Sequence, residues 1–283
     1  ISLIFNWELI LMNSGAVTRS RIISIVTIFP LFFVFVIYSP RVIYAPLISL
    51  LGVIALYELY ELFEKAKINS LKKAGIIFGC IISFSFITGE IYFAAFILTV
   101  SILLLLTYIL TIQTKEFFFI IEQLFSTVFG LLYVSWLVGY LILLRYFPQG
   151  NKISFFLYFV TWSRDVGAFC IGSLFKGHKI SPKISPNKTF EGTIGGVVAC
   201  VLAVIFIKQV LLNDLSYYDC IYLGILLGIG GQIGDLCESV FKRAANVKDS
   251  GSLIPGQGGI LDTFDSFIFT APMLYYYLKF VYF

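Results

Sequence analysis

Nine long apolar segments joined by short polar connections dominate this sequence of 283 residues. A helix needs about 20 predominantly apolar residues to cross a bilayer, and most of the segments reach or approach that length. Charged residues make up only 13% of the chain, against about 25% in soluble domains. The pattern predicts an all-α polytopic membrane protein with about nine transmembrane helices. The segments lie roughly at 21–38, 43–62, 74–89, 91–112, 117–146, 153–175, 190–212, 218–241 and 261–281.

The distribution of Lys and Arg predicts the orientation. With the N-terminus in the cytoplasm, fourteen of the 20 Lys and Arg residues lie on the inner side, five lie on the outer side and one lies within a span. Positively charged loops stay in the cytoplasm. The polar loops 176–189 and 242–260 are therefore expected to face it. The sequence predicts a multi-pass protein of the cell (inner or plasma) membrane with its active site at cytoplasmic helix ends.

Charges inside or beside the apolar segments concentrate after residue 150. We therefore predict that residues 1–150 form a transmembrane scaffold and that residues 151–283 form a catalytic region. Within the scaffold, Glu58 and Glu61 lie near the inner end of the second span, where they can reach interfacial water or pair with Lys65. Structural roles are expected for both.

The first residues are predicted not to be native. Residues 1–11 are apolar but too short to span a bilayer, and a polar stretch follows Met12. We expect translation to start at Met12. A longer parent chain and a cleaved signal stay open as alternatives.

Cysteine and histidine offer little metal chemistry in this chain. The five cysteines show no CxxC spacing, and His178 is the single histidine. A disulfide framework or a histidine-based zinc site is therefore not expected. Acidic residues are the remaining candidates for metal ligands.

The most polar long stretch runs from Ser239 to Ser266 and reads SVFKRAANVKDSGSLIPGQGGILDTFDS. Two of its acids, Asp262 and Asp265, stand three residues apart at the start of the last apolar segment, so a helix presents both on one face. A carboxylate that enters a membrane helix is costly and usually marks function. Cations, hard oxygen ligands and a glycine-rich turn are typical of a site for a metal-bound triphosphate. An ordinary charged loop explains the lysines but not the acids. The cations are Lys242, Arg243 and Lys248.

A third acid precedes this stretch. Asp235, Ser239 and Lys242 share one helix face because they stand at i, i+4 and i+7. Asp235 has no cation at close spacing on its own segment, so it is expected to meet the other two acids. Glu238 stands four residues before Lys242, a spacing that a surface salt bridge explains equally well.

Two further pairs lie upstream. Arg164 and Asp165 are adjacent inside the sixth segment, and charges in a membrane need partners or a polar cavity, which favours a site over mutual neutralisation. Lys188 and Thr189 stand where the next helix is expected to begin, and a helix N-terminus with a Lys and a hydroxyl is a plausible seat for a phosphate. The earlier lysines of loop 176–189 serve equally well as membrane anchors.

Residues 239–266 resemble the signature of the phosphatidate cytidylyltransferases, also called CDP-diacylglycerol synthases. That signature reads Ser-x-x-Lys-Arg, four residues, Lys-Asp-x-Gly, then Pro-Gly-His-Gly-Gly and Asp-Arg-x-Asp-Ser. The sequences GDLCES, WSRDVGAF and KISPNKTFEG also look like family motifs, so the resemblance covers 162–266 in detail. A pattern of this length is highly specific. Gln257 stands where His is usual, and Thr263 where Arg is usual.

The resemblance implies a Mg²⁺-dependent nucleotidyltransferase of phospholipid biosynthesis. Such an enzyme transfers the cytidylyl group of CTP to phosphatidate, giving CDP-diacylglycerol and pyrophosphate. The resemblance also implies a homodimer in the lipid bilayer without a nucleic-acid partner. It leaves a second cation, the acyl-chain preference and the choice between CTP and dCTP open. The implied metal ligands are Asp235, Asp262 and Asp265. The implied catalytic residues are these three acids with Lys242, Arg243 and Lys248. The implied substrate-binding residues are Asp165, Ser185, Lys188, Thr189, Ser239, Gly256, Gly258 and Gly259.

Two other functions stay open at this point. A CTP-dependent lipid-alcohol kinase needs similar metal and phosphate parts. A secondary transporter also uses intramembrane acids, although related halves and interrupted helices are more typical of it.

Thr263 stands between two acids at the position where the family usually has Arg, so this chain lacks a permanent positive charge there. We expect Arg164 or Lys248 to supply that charge.

Overall fold

The computed structural model describes residues 30–111, 117–175, 177–254 and 258–282. The predicted translation start at Met12 lies outside these ranges, as do Lys176, Gly256 and Gln257.

Helices make up most of the described chain, as predicted. Each predicted apolar segment overlaps a helix, because a segment in lipid must satisfy its backbone polar groups internally. Residues 30–38 are helical. The further helices are α1 Arg41–Lys65, α2 Lys72–Ser85, α3 Ile91–Leu110, α4 Phe117–Gly130, α5 Leu137–Leu144, α6 Gly150–Phe175, α7 Phe190–Val210, α8 Tyr217–Ala244 and α9 Ile260–Val281. A π-helical turn, Leu131–Trp136, joins α4 to α5.

The helices fit a membrane environment. Large apolar side chains such as Leu110 and Phe118 are 84% and 81% exposed, which suits contact with lipid. The chain is therefore an α-helical membrane protein, whereas the count of nine spans and the orientation stay predictions. Within the described residues, five helical stretches are long and apolar enough to cross a membrane, judged by length and composition: Arg41–Lys65, Ile91–Leu110, Phe117–Leu144, Phe190–Val210 and Tyr217–Ala244.

The polar loop 176–189 contains a hairpin that the sequence analysis did not anticipate. Its two strands pair antiparallel. The Ile184 N–H donates to the Ser181 carbonyl oxygen (3.2 Å), and Pro182 occupies the second position of this turn, where its fixed φ fits. The hairpin is an exception to the predicted all-α fold, and it leads directly into α7. The strands are β1 Lys179–Ser181 and β2 Ser185–Thr189.

Helix α9 joins the two halves of the chain. Helices α6, α7, α8 and α9 pack in succession, and α9 also packs against α1 and α5. Glycine permits the closest of these contacts, since a Cβ at Gly195 would lie only 2.4 Å from Cβ of Ile171. The predicted catalytic region is thus built directly on the predicted scaffold.

Candidate active site

Three carboxylates from two helices lie together near the ends of α8 and α9. Asp235 and Glu238 stand one turn apart on α8, and Asp265 lies in the second turn of α9. One oxygen of each lies within 4.8 Å of the others. The helices approach closely here because Gly234 has no side chain: a Cβ would lie 2.3 Å from the Asp265 carbonyl oxygen. Carboxylate oxygens are the donors that a divalent cation such as Mg²⁺ prefers, so the three acids supply a suitable type of ligand.

Two cations flank Asp235. Lys188 Nζ lies 2.6 Å from Asp235 Oδ1, and an Arg164 Nη lies 3.8 Å from Oδ2. Arg164 also pairs with Asp165 and donates to Ser266 Oγ at 3.0 Å. Its side chain is 3% exposed, and Nη1 has no hydrogen-bond partner among the described residues. This Nη1 faces the backbone of Gly231, where a Cβ would lie only 2.7 Å from it.

Asp262 forms an ion pair and hydrogen bonds with a second set of residues. Lys242 Nζ lies 2.7 Å from Asp262 Oδ1 and also pairs with Glu238, so this one cation joins two acids. Oδ2 accepts the backbone N–H of Ser250 and its hydroxyl, each at 2.8 Å. It also accepts the N–H of Gly259 at 2.8 Å. Gly259 is the N-cap residue of α9, and a carboxylate three residues later in a helix commonly caps that N–H. Asp262 thus ties the start of α9 to the end of α8.

Glu238 corrects one interpretation. The sequence left a surface Glu238–Lys242 salt bridge open, and the pair does form. Glu238, however, has no exposed surface, so the pair is buried inside the site. A usable signal was present, because Glu238 follows Asp235 by three residues, the same spacing that drew attention to Asp262 and Asp265.

Glu58 reaches the site from α1. Its Oε1 accepts the Ile260 N–H (3.1 Å), and its Oε2 accepts the Leu261 N–H (2.7 Å) and the Ser250 hydroxyl (3.0 Å). The residue is only 5% exposed. The expected contact with interfacial water or Lys65 is therefore replaced by a buried contact with the first turn of α9. No local pattern around Glu58 signals partners so distant in sequence.

The remaining site residues take varied positions. Thr189 caps α7, with Oγ1 accepting the Gly192 N–H at 3.1 Å. Arg243 and Lys248 are exposed, and Arg243 Nε donates to the Ile184 carbonyl oxygen at 2.9 Å. Ser239 is buried on α8.

The glycine turn holds one conformation that needs glycine. Gly258 has φ 110°, a region that side-chain-bearing residues rarely adopt. It also exchanges both backbone hydrogen bonds with Ile254, at 2.8 and 3.0 Å. A Cβ at Gly258 would meet Asp262 Oδ2 at 2.5 Å. Gly258 therefore lies directly against the Asp262 carboxylate.

Charge in the site is unbalanced. If all groups are ionised, the five acids in the ion pairs and the carboxylate cluster outnumber their three cations by two, and Glu58 adds a further buried acid beside them. The acids are Asp165, Asp235, Glu238, Asp262 and Asp265, and the cations are Arg164, Lys188 and Lys242.

Comparison with known proteins bears on this arrangement. Over 180 residues the chain is 43% identical to the phosphatidate cytidylyltransferase of Bacillus subtilis, covering 63% of this chain and 65% of that protein. Over 172 residues it is 39% identical to the enzyme of that name from Staphylococcus saprophyticus, covering 60% and 64%. The corresponding values for Staphylococcus aureus strain COL are 35% over 164 residues, covering 58% and 62%. The matches thus span less than two thirds of these relatives' lengths.

A family model extends the similarity over nearly the whole chain. The model of the cytidylyltransferase family matches residues 19–281. That range includes every described element and all the acids and cations of the site. The family expected from the sequence motifs is confirmed: the chain belongs to the cytidylyltransferase family.

Proposed function

We propose that the chain transfers the cytidylyl group of CTP to phosphatidate, forming CDP-diacylglycerol and pyrophosphate in phospholipid biosynthesis. The observation that carries the proposal is the cluster of Asp235, Glu238 and Asp265 with cations directly beside it. The relatives' names point to the same reaction. They favour neither a lipid-alcohol kinase nor a transporter.

In the proposed reaction, a phosphate oxygen of phosphatidate attacks the α-phosphorus of CTP. The bond from that phosphorus to the oxygen bridging to the β-phosphate breaks, and pyrophosphate leaves. The nucleophile is already anionic, so the site needs no strong general base. Its residues have to position two anionic substrates and offset their charge.

Asp235 and Asp265 are proposed to hold Mg²⁺. The sequence prediction adds Asp262, whereas the geometry offers Glu238 as the third carboxylate. When bound, Mg²⁺ supplies Lewis-acid polarisation of a phosphoryl oxygen. A second bound cation is also proposed, and no residues are assigned as its ligands.

The cations are proposed to act on the phosphates. Lys188, near the end of β2, and Arg164, on α6, each face one oxygen of Asp235, which supports a role for both in binding the CTP phosphates. Lys242 offsets the charge of Asp262 and Glu238. Arg243 and Lys248 are exposed. They are proposed to attract the anionic substrates by long-range electrostatic steering, which needs no direct contact.

The proposed setting follows from the charge distribution. The N-terminus and the loops 176–189 and 242–260 are placed in the cytoplasm, where CTP is available, and nine spans cross the cell membrane. Phosphatidate then enters sideways from the bilayer. A homodimer is part of the proposal.

One experiment tests the reaction. Purified protein in vesicles that contain both phosphatidate and a lipid alcohol, diacylglycerol, is given CTP labelled at either the α- or the γ-phosphate. We expect the α label to enter the lipid fraction and the γ label to appear in pyrophosphate, with Asp265→Asn as the inactive control. Transfer of the γ label to lipid would indicate a kinase, and labelling of neither product would overturn the proposal.

A further inference from the structure

We infer that Glu58 is a positioning residue of the site, which holds the start of α9 so that Asp262 and Asp265 are correctly placed. The inference rests on the proposed metal site and, for its kinetic consequence, on the proposed reaction. Residues 1–150 then contribute to the site itself and are more than the scaffold that the sequence predicts.

The backbone of α9 shows what Glu58 does. The first N–H groups of a helix have no partner within the helix. Here the Ile260 and Leu261 N–H groups donate to Glu58, and the Gly259 N–H donates to Asp262. A carboxylate is favourable at this positive end of the helix dipole. Glu58 therefore occupies the place where a phosphate could otherwise bind, which leaves the substrate phosphates to the side-chain cations.

Glu58 is held on a rigid platform. Leu56, Leu59, Tyr60 and Leu62, its neighbours on α1, each show 0% exposure. A functional side chain is placed accurately when the residues around it are locked by packing. The hydrogen bonds of Glu58 thus help to fix the start of α9 relative to α1.

Two glycines make room for the carboxylate. A Cβ at Gly251 would lie 2.4 Å from Glu58 Oε1, and a Cβ at Gly259 would lie 2.4 Å from Oε2. Both glycines belong to the polar stretch that resembles the family signature. Glu58 therefore binds both ends of the segment 250–261, through Ser250 at one end and Leu261 at the other.

The test compares Glu58→Gln with two matched variants on the same helix. Glutamine keeps the size of the side chain, but its amide group places a donor against the N–H and hydroxyl donors that face Glu58. Glu61→Gln makes the same change one turn away, where Glu61 pairs with Lys72. Leu56→Ala removes a fully buried side chain from α1 and reports general destabilisation.

Three quantities are measured in each purified variant. These are Mn²⁺ affinity by electron paramagnetic resonance, melting temperature, and kcat and KM for CTP. We expect Glu58→Gln to weaken Mn²⁺ binding and to lower kcat, each by about tenfold or more, the usual effect of losing a residue that orients metal ligands. Glu61→Gln should match the unsubstituted protein. Leu56→Ala should lower the melting temperature at least as much as Glu58→Gln while keeping Mn²⁺ affinity.

Two results would overturn the inference. One is unchanged Mn²⁺ affinity and kcat in Glu58→Gln. The other is an equal loss of affinity in Leu56→Ala, which would reduce Glu58 to a general stabiliser of the fold. Mn²⁺ binding is measured without CTP or lipid, so a protein that binds Mn²⁺ but does not transfer the cytidylyl group still tests Glu58. A lack of Mn²⁺ binding by the unsubstituted protein would overturn the proposed metal site and this inference together.

Discussion

Glu58 and Asp262 contact the same hydroxyl group. Ser250 Oγ lies 3.0 Å from Glu58 Oε2 and 2.8 Å from Asp262 Oδ2. A hydroxyl has one proton to donate, so the two carboxylates share a single donor. This contact joins α1, the segment after α8 and the start of α9 at one point.

Removing that hydroxyl is expected to loosen the site. Hydrogen bonds to charged groups contribute about 1.5–3 kcal/mol, so Ser250→Ala should lower the free energy of unfolding by roughly 2 kcal/mol. Turnover should fall as well. Chemical unfolding in mixed micelles measures the first effect, with exposed Ser252→Ala as the control. Equal stability of the two variants would show that the shared hydroxyl carries no energetic weight.

Metal binding distinguishes the two candidate third ligands. Asp235→Asn and Asp265→Asn should each weaken Mn²⁺ binding strongly, because both acids belong to the predicted set and to the observed cluster. The informative pair is Glu238→Gln and Asp262→Asn. We expect Glu238→Gln to weaken Mn²⁺ binding more, since Asp262 is engaged by Lys242, Ser250 and Gly259.

The opposite ranking, with Asp262→Asn the more damaging change, would restore the ligand set predicted from the sequence. Mn²⁺ titration followed by paramagnetic resonance measures both variants directly. Glu64→Gln, at an exposed position on α1, is the matched control for the loss of one acid.

The stability contributions of Lys242 and the buried acid Glu238 should be coupled. Breaking a buried ion pair on one side costs about 3–5 kcal/mol, because the remaining charge loses its partner. Lys242→Met should therefore be strongly destabilising, and adding Glu238→Gln should recover part of the loss. A double-mutant cycle of unfolding free energies measures the coupling. Purely additive effects would contradict it, and exposed Lys248→Met should be neutral.

Arg164 is expected to supply the charge that Thr263 lacks. It is buried beside Asp235, whereas Lys248 is exposed and makes no ion pair within the described part of the chain. Arg164→Ala should lower kcat by roughly a hundredfold, the loss typical of one donor to the transition state. Thr263→Arg should restore part of that activity, and Lys248→Ala should have a small effect.

Compensation by Arg164 fails if Lys248→Ala is as damaging as Arg164→Ala. It also fails if Thr263→Arg alone raises kcat many-fold, since the protein would then lack a cation that nothing else provides. Melting temperatures are recorded alongside, because Arg164 also pairs with Asp165.

The predicted orientation can be tested with single cysteines in a cysteine-free background. Ser252 and Asp214 are exposed on two different connections. With the N-terminus inside, Ser252→Cys should resist an impermeant thiol reagent in intact cells, and Asp214→Cys should react. The reverse pattern would invert the topology.

The sequence predicted the helices well and their mutual contacts poorly. Apolar length fixes where helices run because lipid leaves the backbone no other arrangement. It does not determine which face meets a neighbour, since lipid-facing and buried faces are both apolar. The close approach of α8 and α9 at Gly234 is visible only in three dimensions.

The sequence indicated which charged residues belong to the candidate site better than it indicated which of them contact one another. The acids and lysines stood out because charge is rare in these segments. Glu58 did not, because its partners lie about two hundred positions later, as the separation of 202 between Glu58 and Ile260 shows. The hairpin before α7 was missed for a different reason: its strands are too short and too polar to show alternation.

The distance between Glu58 and Ile260 along the chain also sets an order of assembly. Helix α1 is synthesised long before α9, and closing so long a loop carries an entropic cost that local helix formation does not. The carboxylate of Glu58 has no Ile260 or Leu261 donor until α9 has been synthesised. A nascent chain that ends before residue 260 therefore carries the cations and the acids of α8 without the N–H donors that Glu58 contacts at the start of α9.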